Sequence, residues 1–175
     1  MLSFDVMAKT KRGETISGDS FLSFSIGLYK HIFIICDGMG SGEMAHAQSY
    51  FAADKLRFYI ESGKDMHAAI NTVSSEVRMR NADCFSTADV LILDTDTMTG
   101  RLIKAGAAPT LILRKGKTDL FSTCTLPLGI LYETNADEFS FSLSCDTRIL
   151  MFSDGLLSED GADDVTVFYI KFEEV

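Results

Sequence analysis

Four places in this chain put an aspartate at one or other end of an apolar run and within two residues of a glycine. Asp37 closes "HIFIIC" and is followed by Gly38 in "DGMGSGE". Asp154 closes "RILMFS" and is again followed by a glycine. Asp19 opens a strand-like run in "SGDSF", and Asp163 and Asp164 precede the last one in "GADDVTV". A carboxylate at the end of a buried strand is costly unless it has a partner. Oxygen-only ligands suit Mg²⁺ or Mn²⁺, and no histidine or cysteine need take part. Aspartates at strand ends of an antiparallel sheet can meet at one rim. The competing reading makes each one a turn aspartate that caps its own loop.

Two other chemistries fit these residues less well. "GMGSGE" has Glu43 where a dinucleotide fingerprint needs glycine, and no GK[ST] follows for a phosphate loop. "LDTDTMTG" places Asp94 and Asp96 after another apolar run, like the DxDx[TV] nucleophile motif of haloacid-dehalogenase-type phosphatases. There the fifth position is Met98, and hairpin signals follow where that fold needs helical crossovers. A polar hairpin loop is the simpler reading of Asp94 and Asp96.

The elements that must hold these residues are legible as runs. "LSFDVMAK", "SFLSFSIGLY" and "HIFIIC" come first, short and rich in Ile and Phe. A helix is expected from about Glu43 to Glu61. A second carries Met66, Ala69, Ile70, Val73 and Val77 at three- and four-residue steps, a core-facing stripe. From Thr87 onward, "ADVLILD", "GRLIKAG", "PTLILRKG", "KTDLFST", "EFSFSL", "RILMFSDG" and "DVTVFYIKF" read as strands joined by hairpin-length turns. Without helical crossovers they must pair antiparallel. The expected fold is α+β: an antiparallel β-sandwich with the helix pair on one face.

Composition sets the outer limits. The 175 residues suit one domain, taken as 1–175, with a sizeable core. Apolar residues are 46% and charged residues 23%, an ordinary globular balance. A net charge of -9 argues against nucleic acid and anionic membrane as partners. No apolar run is long enough to span a bilayer, and "MLSFDVMAKTKRG" has no signal-peptide core, so a cytoplasmic protein is expected. Cys36, Cys84, Cys124 and Cys145 form no CxxC pair and read as reduced core thiols.

The ordered set "SGDSF", "CDGMGSGEMA", "FSTADVLILD…TG", "AGAAPTLILRKG", "LPLGIL", "FSDGLL" and "DDVTV" resembles the metal-dependent protein phosphatases of the 2C type. The likeness is to the bacterial branch typified by the phosphatase domain of stage II sporulation protein E, and it runs from Ile16 to Phe172. It implies a helix-flanked β-sandwich with two Mn²⁺ or Mg²⁺ ions at one end. It implies hydrolysis of phosphoserine or phosphothreonine by a hydroxide held on the metal pair. Within it Asp37 matches the bridging aspartate and Gly38 supplies a carbonyl ligand. Asp154 and Asp163 match the remaining second-metal ligands, and Asp19 matches the acid of the first motif. Asp37 and Asp154 are thus the expected catalytic pair. Glu43, Met44 and Ala45 match the start of a helix thought to couple site assembly to regulation. The implied partner is a phosphorylated protein of the anti-sigma-factor antagonist type, in sporulation or stress signalling, with a homodimer as the oligomeric option.

Two features depart from that pattern. Only Leu156 to Ala162 separates "SDG" from "DDVT", where the family has a helix-containing stretch, so the helix layer is expected to be shortened after residue 156. The phosphate-binding arginine of eukaryotic relatives has no match near Asp19, and Lys11 and Arg12 do not fit that motif. The family's membrane segments are absent here, so a free-standing or excised domain is expected. The alternative to an active phosphatase is a binding or regulatory module that keeps the fold without turnover.

Overall fold

The computed structural model describes residues 1–80 and 83–172. Among the described residues, ten strands form two five-stranded sheets, accompanied by two α-helices. The strands are β1 (Leu2–Lys9), β2 (Asp19–Ile26), β3 (Lys30–Asp37), β4 (Ala88–Asp94), β5 (Thr99–Ala105), β6 (Thr110–Arg114), β7 (Lys117–Phe121), β8 (Asp137–Ser142), β9 (Arg148–Phe152) and β10 (Val165–Phe172). The helices, α1 (Gly42–Glu61) and α2 (Met66–Arg80), lie between β3 and β4. One sheet runs β2-β3-β4-β5-β8 and the other β1-β10-β9-β6-β7. Every pairing between named strands is antiparallel, as hairpin-length connections require.

The layers explain the sequence runs. In β3, Phe33 and Ile35 face the second sheet, and Ile32, Ile34 and Cys36 face the helices. β4 does the same, with Leu91 and Leu93 on one side and Ala88 and Val90 on the other. A strand covered on both faces reads as a continuous apolar run, not as an alternating one. β10 alternates strictly: Thr166, Phe168, Ile170 and Phe172 are buried, and the residues between them are half-buried. Both helices lie on the β2-β3-β4-β5-β8 sheet. α1 buries Ala45, Ala52, Ala53, Leu56 and Ile60, and α2 buries Met66, Ala69, Ile70, Val73 and Val77.

The helix ends are set locally. α1 stops at Gly63, which takes φ +77°, while its N–H bonds to the Ile60 carbonyl and the Lys64 N–H bonds to the Tyr59 carbonyl. Asp65 then caps α2 by accepting from the Ala68 N–H at 3.1 Å. Between β9 and β10 stands only one 3-10 turn, Asp154–Leu157, followed by turns and bends. The outer face of the second sheet therefore carries no helix layer among the described residues. Among the described residues, no helix is long and apolar enough to cross a membrane.

One sequence expectation needs correction. Cys36 and Cys84 are buried, but Cys124 and Cys145 are exposed, so only two of the four thiols belong to the core. Cys124 follows the end of β7 and Cys145 sits in the β8–β9 turn, where apolar neighbours in sequence do not bring burial. No disulfide forms among the described residues.

Candidate functional site

The strand-end aspartates lie at one end of the sandwich. Asp37 is the last residue of β3 and Asp19 the first of β2, and they stand opposite one another in the antiparallel register. Asp154 begins the 3-10 turn after β9, and Asp163 lies in the turn before β10. Asp37, Asp154 and Asp163 together line an open cavity of about 430 Å³, with Gly38, Met39 and Pro127 among its walls. A narrower cavity of about 150 Å³ runs behind it, lined by Asp37, Thr87, Asp89, Ser153 and Asp154. Asp19 lies beneath, 5% exposed.

The backbone around each aspartate is fixed. The Asp37 N–H donates to Thr87 Oγ1 at 2.9 Å, and the Thr87 N–H donates to the Asp37 carbonyl at 2.8 Å. Glycine follows Asp37 and Asp154 for one shared reason. A Cβ on Gly38 would stand 2.0 Å from the Ala45 carbonyl oxygen, and one on Gly155 would stand 1.9 Å from the Asp164 carbonyl oxygen. Each "DG" thus marks a close backbone approach, of α1 in the first case and of the β10 lead-in in the second. Gly40 and Gly42 of "GMGSGE" take φ +101° and +68° just ahead of α1. They let α1 begin directly behind Asp37.

The electrostatics are those of acids crowded at one rim. Burial raises Asp37 to about 8, reinforced by the negative charges of Asp19 and Asp154, a hydrogen bond shared with Asp154, and the charge of Asp163. Burial also raises Asp19 to about 6, opposed by the Ser153 hydroxyl, which donates to Asp19 Oδ2 at 2.6 Å. Asp19 Oδ1 is buried and has no hydrogen-bond partner. Among the described residues, no three His, Cys, Asp or Glu side chains are gathered tightly enough to ligate one ion as they stand.

The residues nevertheless fit a hard divalent cation. The set is all oxygen, one buried oxygen lacks any donor, and burial raises the proton affinity of two of the carboxyls, which a cation would relieve. The neighbouring aspartates divide their work. Asp163 lines the cavity, whereas Asp164 is 3% exposed and accepts from the backbone N–H groups of Lys11 and Gly18, each at 2.8 Å. Asp164 therefore ties the β1–β2 connection to the rim.

Asp94 and Asp96 are elsewhere. Asp94 pairs in register with Lys30, at the end of β3 opposite to Asp37. Seven residues of strand separate the two ends, about 23 Å at the usual rise. Asp94 Oδ1 accepts from the N–H groups of Asp96 and Thr97, both at 3.0 Å, as a turn-capping aspartate does.

Several supporting residues are not singled out by sequence reasoning. Ser153, Thr87 and Asp89 all lie inside quoted motifs, beside the aspartates that drew attention. Asp89 is paired with Lys104 at 2.5 Å and accepts from the Thr110 hydroxyl at 3.1 Å. An ion pair at two strand positions fifteen residues apart leaves no periodic signal.

Known proteins resemble this chain in sequence and in fold. The family model described as stage II sporulation protein E (SpoIIE) matches residues 30–173. Stage II sporulation protein E of Bacillus subtilis (strain 168) is 33% identical over 147 residues, which is 83% of this chain and 18% of that protein. The chain thus spans under a fifth of that relative's length. Among solved structures, the PP2C phosphatase domain of SpoIIE from Bacillus subtilis, with a fragment of its regulatory domain, superposes with a TM-score of 0.87 at 26% identity. That match covers 99% of this chain and 62% of the other. RsbX in complex with magnesium gives a TM-score of 0.82 at 16% identity, covering 97% and 94%, a likeness of fold. The ordered motifs, the helix-covered double sheet and these matches lead to one conclusion: the chain belongs to the SpoIIE family, and its fold is that of a PP2C-type phosphatase domain.

Proposed function

We propose that this domain is a metal-dependent serine/threonine protein phosphatase acting on phosphoserine of a small regulatory protein of the anti-sigma-factor antagonist type. The observation that carries the reading is the convergence of Asp37, Asp154 and Asp163 on one open cavity, with buried Asp19 beneath. Asp19, Asp37, Asp154 and Asp163, with the Gly38 carbonyl, are the residues that would hold two Mn²⁺ or Mg²⁺ ions. Such a pair supplies an activated water and offsets charge on the phosphoryl oxygens.

The chain's own residues then have definite tasks. Burial and the neighbouring carboxylates raise the Asp37 carboxyl to about 8, so a bound cation would stand in for a proton there. Thr87 keeps the Asp37 backbone from shifting, and Ser153 aims the Asp19 carboxylate. Met39, Phe85, Pro127 and Ile130 give the cavity an apolar wall. That wall suits the surface around a phosphorylated side chain better than a free small phosphate. The resemblance to the SpoIIE branch supports the antagonist class of substrate.

The test is phosphate release with Mn²⁺ from a phosphorylated antagonist of the same genome, beside a small phosphate ester. Asp37→Ala and Asp154→Ala are expected to abolish release from both while circular dichroism stays unchanged. Turnover that survives Asp37→Ala in a folded protein removes the metal assignment. Hydrolysis of the ester alone removes the partner assignment but leaves the phosphatase reading standing.

A further inference from the structure

β1 is an edge strand with an apolar character that edges normally avoid. It pairs with β10 on one side, and among the described residues no strand pairs with its other side. Phe4 is 44% exposed, Val6 42% and Met7 62%, on a strand of eight residues. The register fixes their faces. Val6 lies opposite Phe168 and Phe4 opposite Ile170, so Phe4, Val6 and Ala8 point toward the core between the sheets. The Phe4 ring meets Phe33 edge-on with centroids 5.1 Å apart, and meets Phe168 at 6.2 Å. Phe21, 37% exposed, meets Phe168 from the other sheet. An aromatic cluster of the core is thus open at this side. Asp5, Met7 and Lys9 alternate on the outer face.

A long apolar edge is a template for another strand. The charges on β1 say which strand. In an antiparallel pair, opposed residues share a face, so pairing β1 with its own copy is restricted to registers in which the two residue numbers sum to an even value. Centring on Asp5 sets two carboxylates against each other, which is destabilising. Centring on Val6 leaves Asp5 against Met7. Centring on Met7 sets Asp5 against Lys9 twice, once on each side of the axis, and sets Val6 against Ala8 on the core side. Only this last register puts opposite charges together and apolar residues together.

We propose that two copies of this chain associate through β1, antiparallel about a twofold axis at Met7, so that β1-β10-β9-β6-β7 becomes one half of a continuous ten-stranded sheet. The interface is isologous: Asp5 of each copy pairs with Lys9 of the other, and Val6 of each copy packs beside Ala8 of the other. In the single chain Lys9 meets Asp160 at 2.6 Å, but both side chains are largely exposed, so that contact holds Lys9 weakly. Nothing in this interface depends on the metal site.

Two measurements test it, in the full chain with the exposed Cys124 and Cys145 changed to serine. The first is cross-linking. Residues opposed on antiparallel strands have Cα atoms about 4.5–5.5 Å apart, within disulfide reach. Met7→Cys is expected to give a disulfide-linked dimer under mild oxidation, and Leu28→Cys, on another exposed surface, none. The second is charge exchange followed by sedimentation. Asp5→Lys and Lys9→Asp each place like charges together and are expected to weaken association by about tenfold. The two together restore opposite charges and are expected to recover it, which a merely structural role for either residue would not produce. The proposal is overturned by a wild-type monomer at millimolar concentration, by equal cross-linking at positions 7 and 28, or by a double variant as weak as the single ones. It is overturned equally if β1 takes up an extended segment of another protein and never a second copy.

Discussion

Asp19 and Asp37 face each other across the β2–β3 register, two acids at one end of a buried strand pair, and the Asp19 charge adds to the raised proton affinity of Asp37. In the metal-free chain they hold protons up to about 6 and about 8, against an ordinary 3.8. A carboxyl raised in the folded state binds protons more tightly there than in the unfolded chain. Its contribution to stability is complete below its unfolded value and is lost as pH rises through the folded one. Metal-free protein is therefore expected to lose melting temperature between about pH 4 and pH 8, more steeply than Asp37→Asn. Equal slopes for the two proteins would falsify the account of Asp37. Cation binding must also displace the proton on Asp37, so Mn²⁺ added to weakly buffered protein near neutrality is expected to acidify the solution.

Mn²⁺ should stabilise the fold for the same reason. An ion that binds only the folded chain adds about 2.7 kcal/mol at a hundredfold excess over its dissociation constant. The melting temperature is expected to rise with Mn²⁺ and to flatten in its dependence on pH, because the ion replaces the protons. Ca²⁺ is expected to stabilise without supporting phosphate release. A melting curve that does not move in millimolar Mn²⁺ means that the four carboxylates do not form an ion site.

The sequence carries this architecture unevenly, and the reasons are physical. β3 and β4 are covered on both faces, so their apolar runs stand out, and the α2 stripe follows from its single buried face. Asp37 and Asp154 are visible because a strand-end aspartate before glycine is an unusual placement. The difference between Asp163 and Asp164 is not visible. It depends on the β1–β2 connection reaching back to donate two N–H groups to Asp164, a contact across about 150 residues of chain. Lys104 is hidden in another way. In "GRLIKAG" it looks like a solvent-facing strand position, yet it is fully buried because its sheet is covered on both sides.

Asp94 and Asp96 provide a control. Their place at the opposite end of β3 means that Asp94→Ala should leave Mn²⁺-dependent phosphate release unchanged. It should weaken the β4–β5 turn slightly, since two backbone N–H groups lose their acceptor. The hydrogen bonds from Thr97 and Asp96 hold the Asp94 carboxyl below its usual range, so this small stabilisation disappears on acidification. A beryllofluoride adduct on Asp94 would reverse the assignment.

Lys104 and Asp89 make the most consequential contact outside the acidic rim. Lys104 Nζ lies 2.5 Å from Asp89 Oδ2 and 2.8 Å from Thr110 Oγ1, with both charged side chains essentially unexposed. Burial pushes Asp89 up and Lys104 down, and their mutual contact opposes both shifts. Removing one partner strands a buried charge, which costs about 3–5 kcal/mol, whereas replacing both by apolar groups of similar volume is often neutral. Lys104→Met alone is therefore expected to lower stability by about that amount in urea melts, and Asp89→Leu with Lys104→Met to recover most of it. Asp89 also lines the narrow cavity behind Asp37 and Asp154, so the double variant separates two roles. If the pair only joins β4 to β5 and β6, the double variant keeps wild-type Mn²⁺ affinity. If the pair also positions the rim, stability returns but Mn²⁺ affinity stays reduced. A Lys104→Met protein as stable as the wild type would show that no charge is stranded there, and the ionic reading of this contact would have to be abandoned.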